Sequence, residues 1–251
     1  MRNNSLREGF ALANPLFLGY NTPMILFNLS SIINDPLGFL KQLACILPIM
    51  LLSLTLHEWG HAFAAHLCGD DTAKNAGRMT LNPLAHIDPI GFLMILLAGF
   101  GWAKPVPVNS RNYRNYKKGE AIVSLAGVCM NLLLVILFSA LFVLLGCLMY
   151  TTTHEWLNSP YLWLILQYGI ILNLTLMLFN LLPIYPLDGY HIFELLFARK
   201  LSFKVMFFLR RYGSFILIGI FILMRVFDFY PAYELAVLLI DQLGNLIVAI
   251  V

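Results

Sequence analysis

Charged residues are scarce: Asp, Glu, Lys and Arg make up 12% of the 251 residues, about half the share in a soluble domain. Apolar residues of the AVILMFWYC set make up 60%, and mean hydropathy is +0.79. Too little polar surface remains to coat a globule in water, so the expected solvent is a lipid bilayer. A basic excess is also missing. The net charge of +3 falls far short of the clustered positive charge of a nucleic-acid binder, and no nucleic-acid partner is expected. The four cysteines, Cys45, Cys68, Cys129 and Cys147, include no Cys-x-x-Cys pair and lie in or beside apolar stretches. That argues against a disulfide framework and against a thiolate zinc site. Gly and Pro form no repeats, and the polarity that keeps a chain disordered is absent. The opening MRNNSLREGF is polar, but the stretch behind it is broken by Asn14-Pro15 and Thr22-Pro23 and has no small-residue cleavage site. A removable signal peptide is not expected.

Long apolar runs are what the chain has instead. A helix needs about 20 mostly apolar residues to cross a bilayer, and the stretches 36–67, 120–150, 161–182 and 213–230 qualify. Asn34-Asp35-Pro36 reads as a cap followed by proline at the first helical position, and Gly69 as the stop. Pro48 is expected to kink the first helix. The stretch 90–102 spans only about 20 Å at helical rise, which suits a re-entrant or interfacial element. The stretch 232–251 is long enough to cross, but Glu234, Asp241 and Asn245 give it a polar face that suits an interface or a cavity. Residues 1–33 are broken by Asn and Pro. The expected fold is an all-α polytopic membrane protein with four to six transmembrane helices and a re-entrant segment on the cytoplasmic side.

Basic residues collect in short cytoplasmic loops. Lys104, Arg111, Arg114, Lys117 and Lys118 precede the 120–150 helix, and Arg199, Lys200, Lys204, Arg210 and Arg211 follow the 161–182 helix. The loop TTTHEWLNSP between those helices has none. The 120–150 helix then runs outward, the 161–182 helix returns, and the 213–230 helix leaves again. If 90–102 does not cross, the first helix must descend inward.

Near the inner end of that helix stands His57-Glu58-Trp59-Gly60-His61, an HExxH pattern. On a helix the two histidines lie about 40° apart and about 6 Å along the axis. Both imidazoles can then reach one Zn²⁺, with the Glu beside the water it activates. A catalytic zinc takes three protein ligands, and Asp188, Asp88, His86 and His66 are candidates for the third. His66 points about 140° away from His61. Asp188, where the 161–182 helix ends on its cytoplasmic side, comes level with His57 if the first helix descends, and is the preferred ligand. Were 90–102 a full span, the ligands would lie most of a bilayer apart.

HEWGH at 57–61, NPLAHIDPIG at 82–91, GWAKPVPVN at 101–109, SLAGVCMN at 124–131 and NLLPIYPLDG at 180–189 together resemble the site-2 proteases, in particular the small bacterial subgroup without a PDZ domain. The resemblance covers about 36–194. It implies a zinc metalloprotease working inside a bacterial plasma membrane, with one Zn²⁺ per chain on His57, His61 and Asp188 and with Glu58 as base. One departure is visible: the family commonly has Ala-Gly-Pro before its helical Asn, and this chain has Ala126-Gly127-Val128. On this reading the chain divides into an N-terminal extension at 1–35, a catalytic core at 36–194 and C-terminal helices at 195–251.

Asn131 is expected at the height of His57, as an orienting group, an oxyanion donor or an interhelical hydrogen bond. Substrates of such an enzyme are transmembrane proteins, whose helices must unwind to expose a peptide bond. Pro183 and Pro186 bias their neighbours away from helix, leaving open backbone beside Asn180, whose amide could bond a substrate main chain. The alternation of Pro105 and Pro107 with Val106 and Val108 reads as a short edge strand able to accept a substrate by strand addition. His86 and Asp88 are candidate hydrogen-bond partners for a ligand imidazole, or loop caps. Two other functions use the same residues: a metal transporter or sensor, and an inactive membrane scaffold. Transporters tend to show internal repeats and ionisable residues along several helices, and here the polar groups concentrate near one depth. A scaffold would ordinarily have lost a ligand or the base, and none is missing.

Overall fold

The computed structural model describes residues 34–98, 101–152, 154–198 and 200–251, the side chains of 95–98 excepted. The questions raised by 1–33, and the place of Arg199, lie outside the described residues. Eight helices form among the described residues: α1 (Pro36–Cys68), α2 (Thr72–Asn75), α3 (Pro89–Ala98), α4 (Tyr116–Thr151), α5 (Pro160–Asn180), α6 (Asp188–Phe197), α7 (Phe203–Val226) and α8 (Pro231–Ile250). Five of them, α1, α4, α5, α7 and α8, are long and apolar enough to cross a membrane. The chain is an all-α polytopic membrane protein.

The ends of α1 follow from its caps. The Asp35 side chain accepts from the Gly38 N–H, Pro36 opens the helix, and Gly69 closes it at φ 109 in the left-handed region. The helix continues through Pro48. In α3 only 10 residues are helical, about 15 Å at helical rise, too short to cross. The end of α1 accordingly lies at the same end of the molecule as the start of α4. Arg114 donates from its backbone to the Cys68 carbonyl, and Tyr113 packs with Ala64, Ala65 and Val123. The two helices run antiparallel, and α5 returns beside α4 to finish at Asn180 near the end of α1 that carries the HExxH pattern.

The core joins α1, α4, α5 and α8. Ile46 and Ile49 of α1, Leu134, Phe138 and Phe142 of α4, Trp163, Ile170 and Leu174 of α5, and Ala236, Ile240 and Ile247 of α8 form one buried cluster. Lipid tails are as apolar as these side chains, so close packing rather than water exclusion holds the helices together. Glycines permit it. A Cβ on Gly169 would lie 2.3 Å from Phe138, one on Gly146 2.3 Å from Ile247, and one on Gly60 2.6 Å from Met130. In α8 the buried residues Ala236, Ile240, Gly244 and Ile247 form one stripe, while Glu234, Asp241 and Asn245 are exposed. The polar face of 232–251 therefore points away from the bundle.

Three segments differ from the sequence reading. The stretch after Pro186 contains a helix, α6, that begins at Asp188. Helix α7 begins ten residues before the expected 213, with the Ser202 side chain accepting from Val205 N–H at its start. Lys204, Arg210 and Arg211 therefore lie on a helix end and not in a loop, as long basic side chains with apolar stems can. The segment expected as an edge strand forms no ladder. One antiparallel bridge joins Ile87 to Ala103, and no strand forms among the described residues, because Pro105 and Pro107 have no N–H to donate.

Candidate metal centre

Three side chains from two distant parts of the chain meet at one point. The Nε2 atoms of His57 and His61 are 3.1 Å apart, and each lies 3.3 Å from Oδ2 of Asp188. Zinc bonds of about 2.0–2.1 Å in a tetrahedral set place donor atoms about 3.3–3.4 Å apart. The triangle thus fits three corners of such a set and leaves a fourth for water.

Proton positions support the same fit. Nδ1 of His57 lies 2.7 Å from Oδ1 of Asn131, and Nδ1 of His61 lies 2.7 Å from the Val123 carbonyl. Both partners accept, so both Nδ1 atoms carry the proton, and in the neutral imidazoles both Nε2 atoms present bare lone pairs. Oδ2 of Asp188 is buried without a hydrogen-bond partner among the described residues. Three acceptors converge with no donor between them, an arrangement that a cation satisfies. His57 and His61 are 7% and 9% exposed, and Asp188 is the most open of the three, its side chain 18% exposed.

Two elements hold the three side chains. Four-residue spacing brings His57 and His61 to one face of α1. Val123, Gly127 and Asn131 repeat that spacing on the facing stripe of α4. Gly127 is the clearance between the helices: a Cβ there would lie 2.4 Å from Nε2 of His61 and 2.6 Å from Nε2 of His57. Asp188 is aimed by the first turn of α6, where a Cβ on Gly189 would lie 2.3 Å from the Leu181 carbonyl oxygen. The turn between α5 and α6 can close this tightly only with glycine after the aspartate.

Glu58 is 8% exposed, and its Oε2 accepts the Val106 N–H at 2.9 Å. Val106 is buried against Ala62 and Ala73. Around it the 103–109 segment is fastened at several points. Lys104 N–H donates to the His86 carbonyl, Arg78 donates to the Lys104 carbonyl, and Asn109 N–H donates to Asp70. Asp70 is buried. Burial raises its pKa, but bonds from the Asn109 N–H and from Thr72 and Asn112 outweigh that, holding the carboxyl below its ordinary value. Pro107 and Val108 are exposed.

The remaining expected site residues stand elsewhere. His86 bonds through Nε2 to the Thr80 carbonyl, and Asp88 caps α3 by accepting from Ile90 and Gly91 N–H. Neither is bonded to the imidazole of His57 or His61. Asn131 and the Val123 carbonyl hold those positions, because α4 and not the loop faces the histidines. His66 pairs with Asp71. Asn180 spends its Nδ2 on the Leu176 carbonyl one turn back in α5. Asn131 is fully buried and donates from Nδ2 to Oδ1 of Asn173 at 2.9 Å.

Sequence comparison bears on the same residues. The model of peptidase family M50 matches residues 45–220, a stretch containing the HExxH motif, the α4 stripe and Asp188. The chain belongs to peptidase family M50, the site-2 protease family of zinc metalloproteases. Among its relatives, a Bacillus subtilis protein named "Putative zinc metalloprotease YwhC" is 44% identical over 163 residues, 63% of this chain and 70% of that protein. A Mycolicibacterium smegmatis protein named "Putative zinc metalloprotease Rip2" is 33% identical over 165 residues, 63% of this chain. The Mycobacterium tuberculosis protein of the same name is 33% identical over 164 residues, 64% of this chain. The match spans 60% of each mycobacterial relative. No solved structure matches. The M50 chain is a zinc metalloprotease, and its metal is Zn²⁺.

Proposed function

We propose that this M50 chain hydrolyses peptide bonds in or near the transmembrane segments of other membrane proteins, with Glu58 as general base. The observation that carries the reading is the convergence of three bare acceptors, with His57 and His61 on a helix long enough to span a bilayer. His57, His61 and Asp188 would hold the zinc, which would supply a water of lowered pKa and an electrophile for the scissile carbonyl. Glu58, adjacent to His57 on the same helix, takes the water proton and returns it to the leaving amine. Val106 N–H fixes the direction of that carboxylate. Asn131 orients His57.

The Pro105–Val108 edge serves the substrate. Its N–H groups at Lys104, Val106 and Asn109 are bonded within the protein, so an unwound substrate meets the carbonyls of 105–108 and the N–H of Val108. Asn180 beside the α5–α6 turn, its Nδ2 already bonded, offers its side-chain carbonyl. The core at 36–194 performs the chemistry, with 1–35 and 195–251 as its flanks. The active site faces the cytoplasm of a bacterial plasma membrane, a side supported by Lys104, Arg111, Arg114, Lys117 and Lys118 at the α1 and α4 ends that carry the site.

Cleavage of a model transmembrane substrate in liposomes by wild type and by Glu58→Gln tests the mechanism. Wild type cuts, and the variant keeps zinc but loses at least about 100-fold in rate. Equal rates would refute the role of Glu58.

A further inference from the structure

Asn131 alone cannot set the proton on His57. A side-chain amide rotated by half a turn presents NH₂ where it presented C=O. With Nδ2 toward the ring, Nδ1 of His57 would have to accept. The ring proton would then sit on Nε2 and close the lone pair that faces His61 and Asp188. Something must hold Asn131 the right way round, and inside a bilayer-spanning bundle no bulk water is available to do so.

The partner is on α5. Nδ2 of Asn131 donates to Oδ1 of Asn173 at 2.9 Å, and Nδ2 of Asn173 donates to the Gly169 carbonyl at 2.8 Å. A main-chain carbonyl can only accept, so it fixes the orientation of Asn173. Asn173 fixes Asn131, and Asn131 fixes the tautomer of His57. Every link is buried, with Asn131 and Asn173 both 0% exposed. The polarity of the relay is therefore determined at the backbone of α5, three hydrogen bonds from the ligand nitrogen. Resting on the zinc-ligand reading above, we propose that Asn173 is a positioning residue. Through Asn131 it holds His57 with Nδ1 protonated and Nε2 open to the metal.

A double-mutant design separates this role from helix packing. A carboxylate at position 131 has no donor to present, so in Asn131→Asp the His57 Nδ1 must donate whatever stands at 173. The readout is Zn²⁺ affinity of the full chain in detergent, measured by competition with a chromophoric chelator, with melting of the metal-free protein as the folding control. Asn173→Leu is expected to lower affinity about 10- to 100-fold, the usual cost of losing a partner behind a ligand histidine. In the Asn131→Asp background the same change is expected to alter affinity by no more than about twofold, the scatter of independent sites. If Asn173→Leu does not fold, Asn173→Ser replaces it, since a serine hydroxyl can bond the Gly169 carbonyl but does not reach Asn131. Unchanged affinity in the wild-type background, equal loss in both backgrounds, or failure of both single variants to fold would overturn the proposal. His57→Ala tests the underlying reading separately: wild-type Zn²⁺ affinity in that variant would remove the ligand set itself.

Discussion

Gly127 is the position where one methyl group should cost the most. An Ala Cβ at 127 would stand 2.4 Å from Nε2 of His61, 2.5 Å from Cε1 of His57 and 2.6 Å from its Nε2. Carbon contacts settle at about 3.5 Å, so both rings would have to retreat by about 1 Å. Zinc sites hold their bond lengths to within about 0.2 Å, so a retreat five times larger removes both nitrogens from bonding distance. The rings have little room to rotate, because each Nδ1 is tied to α4 by a 2.7 Å bond. Loss of zinc affinity in Gly127→Ala should therefore reach at least the upper end of the outer-partner range, about 100-fold. The fold should survive. Replacing a mid-helix glycine by alanine gains about 1 kcal/mol of helix propensity, against about 1–3 kcal/mol for overpacking. Metal content after dialysis, chelator competition and melting of the metal-free protein measure the three quantities together. A folded Gly127→Ala that binds zinc with wild-type affinity would refute the placement of the two histidines opposite α4.

Gly189→Ala acts on the proposed third ligand: the added Cβ would lie 2.3 Å from the Leu181 and 2.5 Å from the Leu182 carbonyl oxygen. The α5–α6 turn must open and carry Asp188 away, and zinc content should fall while α1 stays intact by circular dichroism. Asp70→Asn turns an acceptor of the Asn109 N–H into a donor facing a donor, and should destabilise the protein at neutral pH by about 1.5–3 kcal/mol. Because the folded pKa of Asp70 lies below its ordinary value, the wild-type advantage is full above that ordinary value and is lost as pH falls through the folded one. Melting curves of the two proteins should converge in strong acid, and an advantage that persisted there would refute the charge-based account.

The ends of α1 were legible because they are written locally, in Asp35, Pro36 and Gly69. The start of α7 was not, because three basic residues resemble a loop unless their apolar stems are credited to a helix surface. Helix α6 was hidden by its brevity and by the two prolines before it. The buried face of α8 was within reach, since Ala236, Ile240 and Gly244 recur every fourth residue, but the acidic residues on the other face drew the reading toward an interface or a cavity.

In the site, legibility declines with the number of elements a role requires. His57, Glu58 and His61 need only one helix, so spacing alone makes them candidates. Asp188 needed two helix directions, and the positions of a few basic residues supplied them. Gly127 needed the face that α4 turns to α1, and that was recoverable: Asn131 lies one four-residue step beyond it, so a glycine on the same stripe marks a place where something must approach. Val123 acts through its carbonyl, which every residue possesses, and no side-chain pattern can announce it. Asn173 lies furthest out, since its role depends on the depth of α5 against α4 and on a proton direction set at Gly169. A motif therefore reports the atoms proposed to bind the metal more readily than those that would leave the histidine lone pairs free to do so, because the second task is shared among helices that only the folded chain brings together.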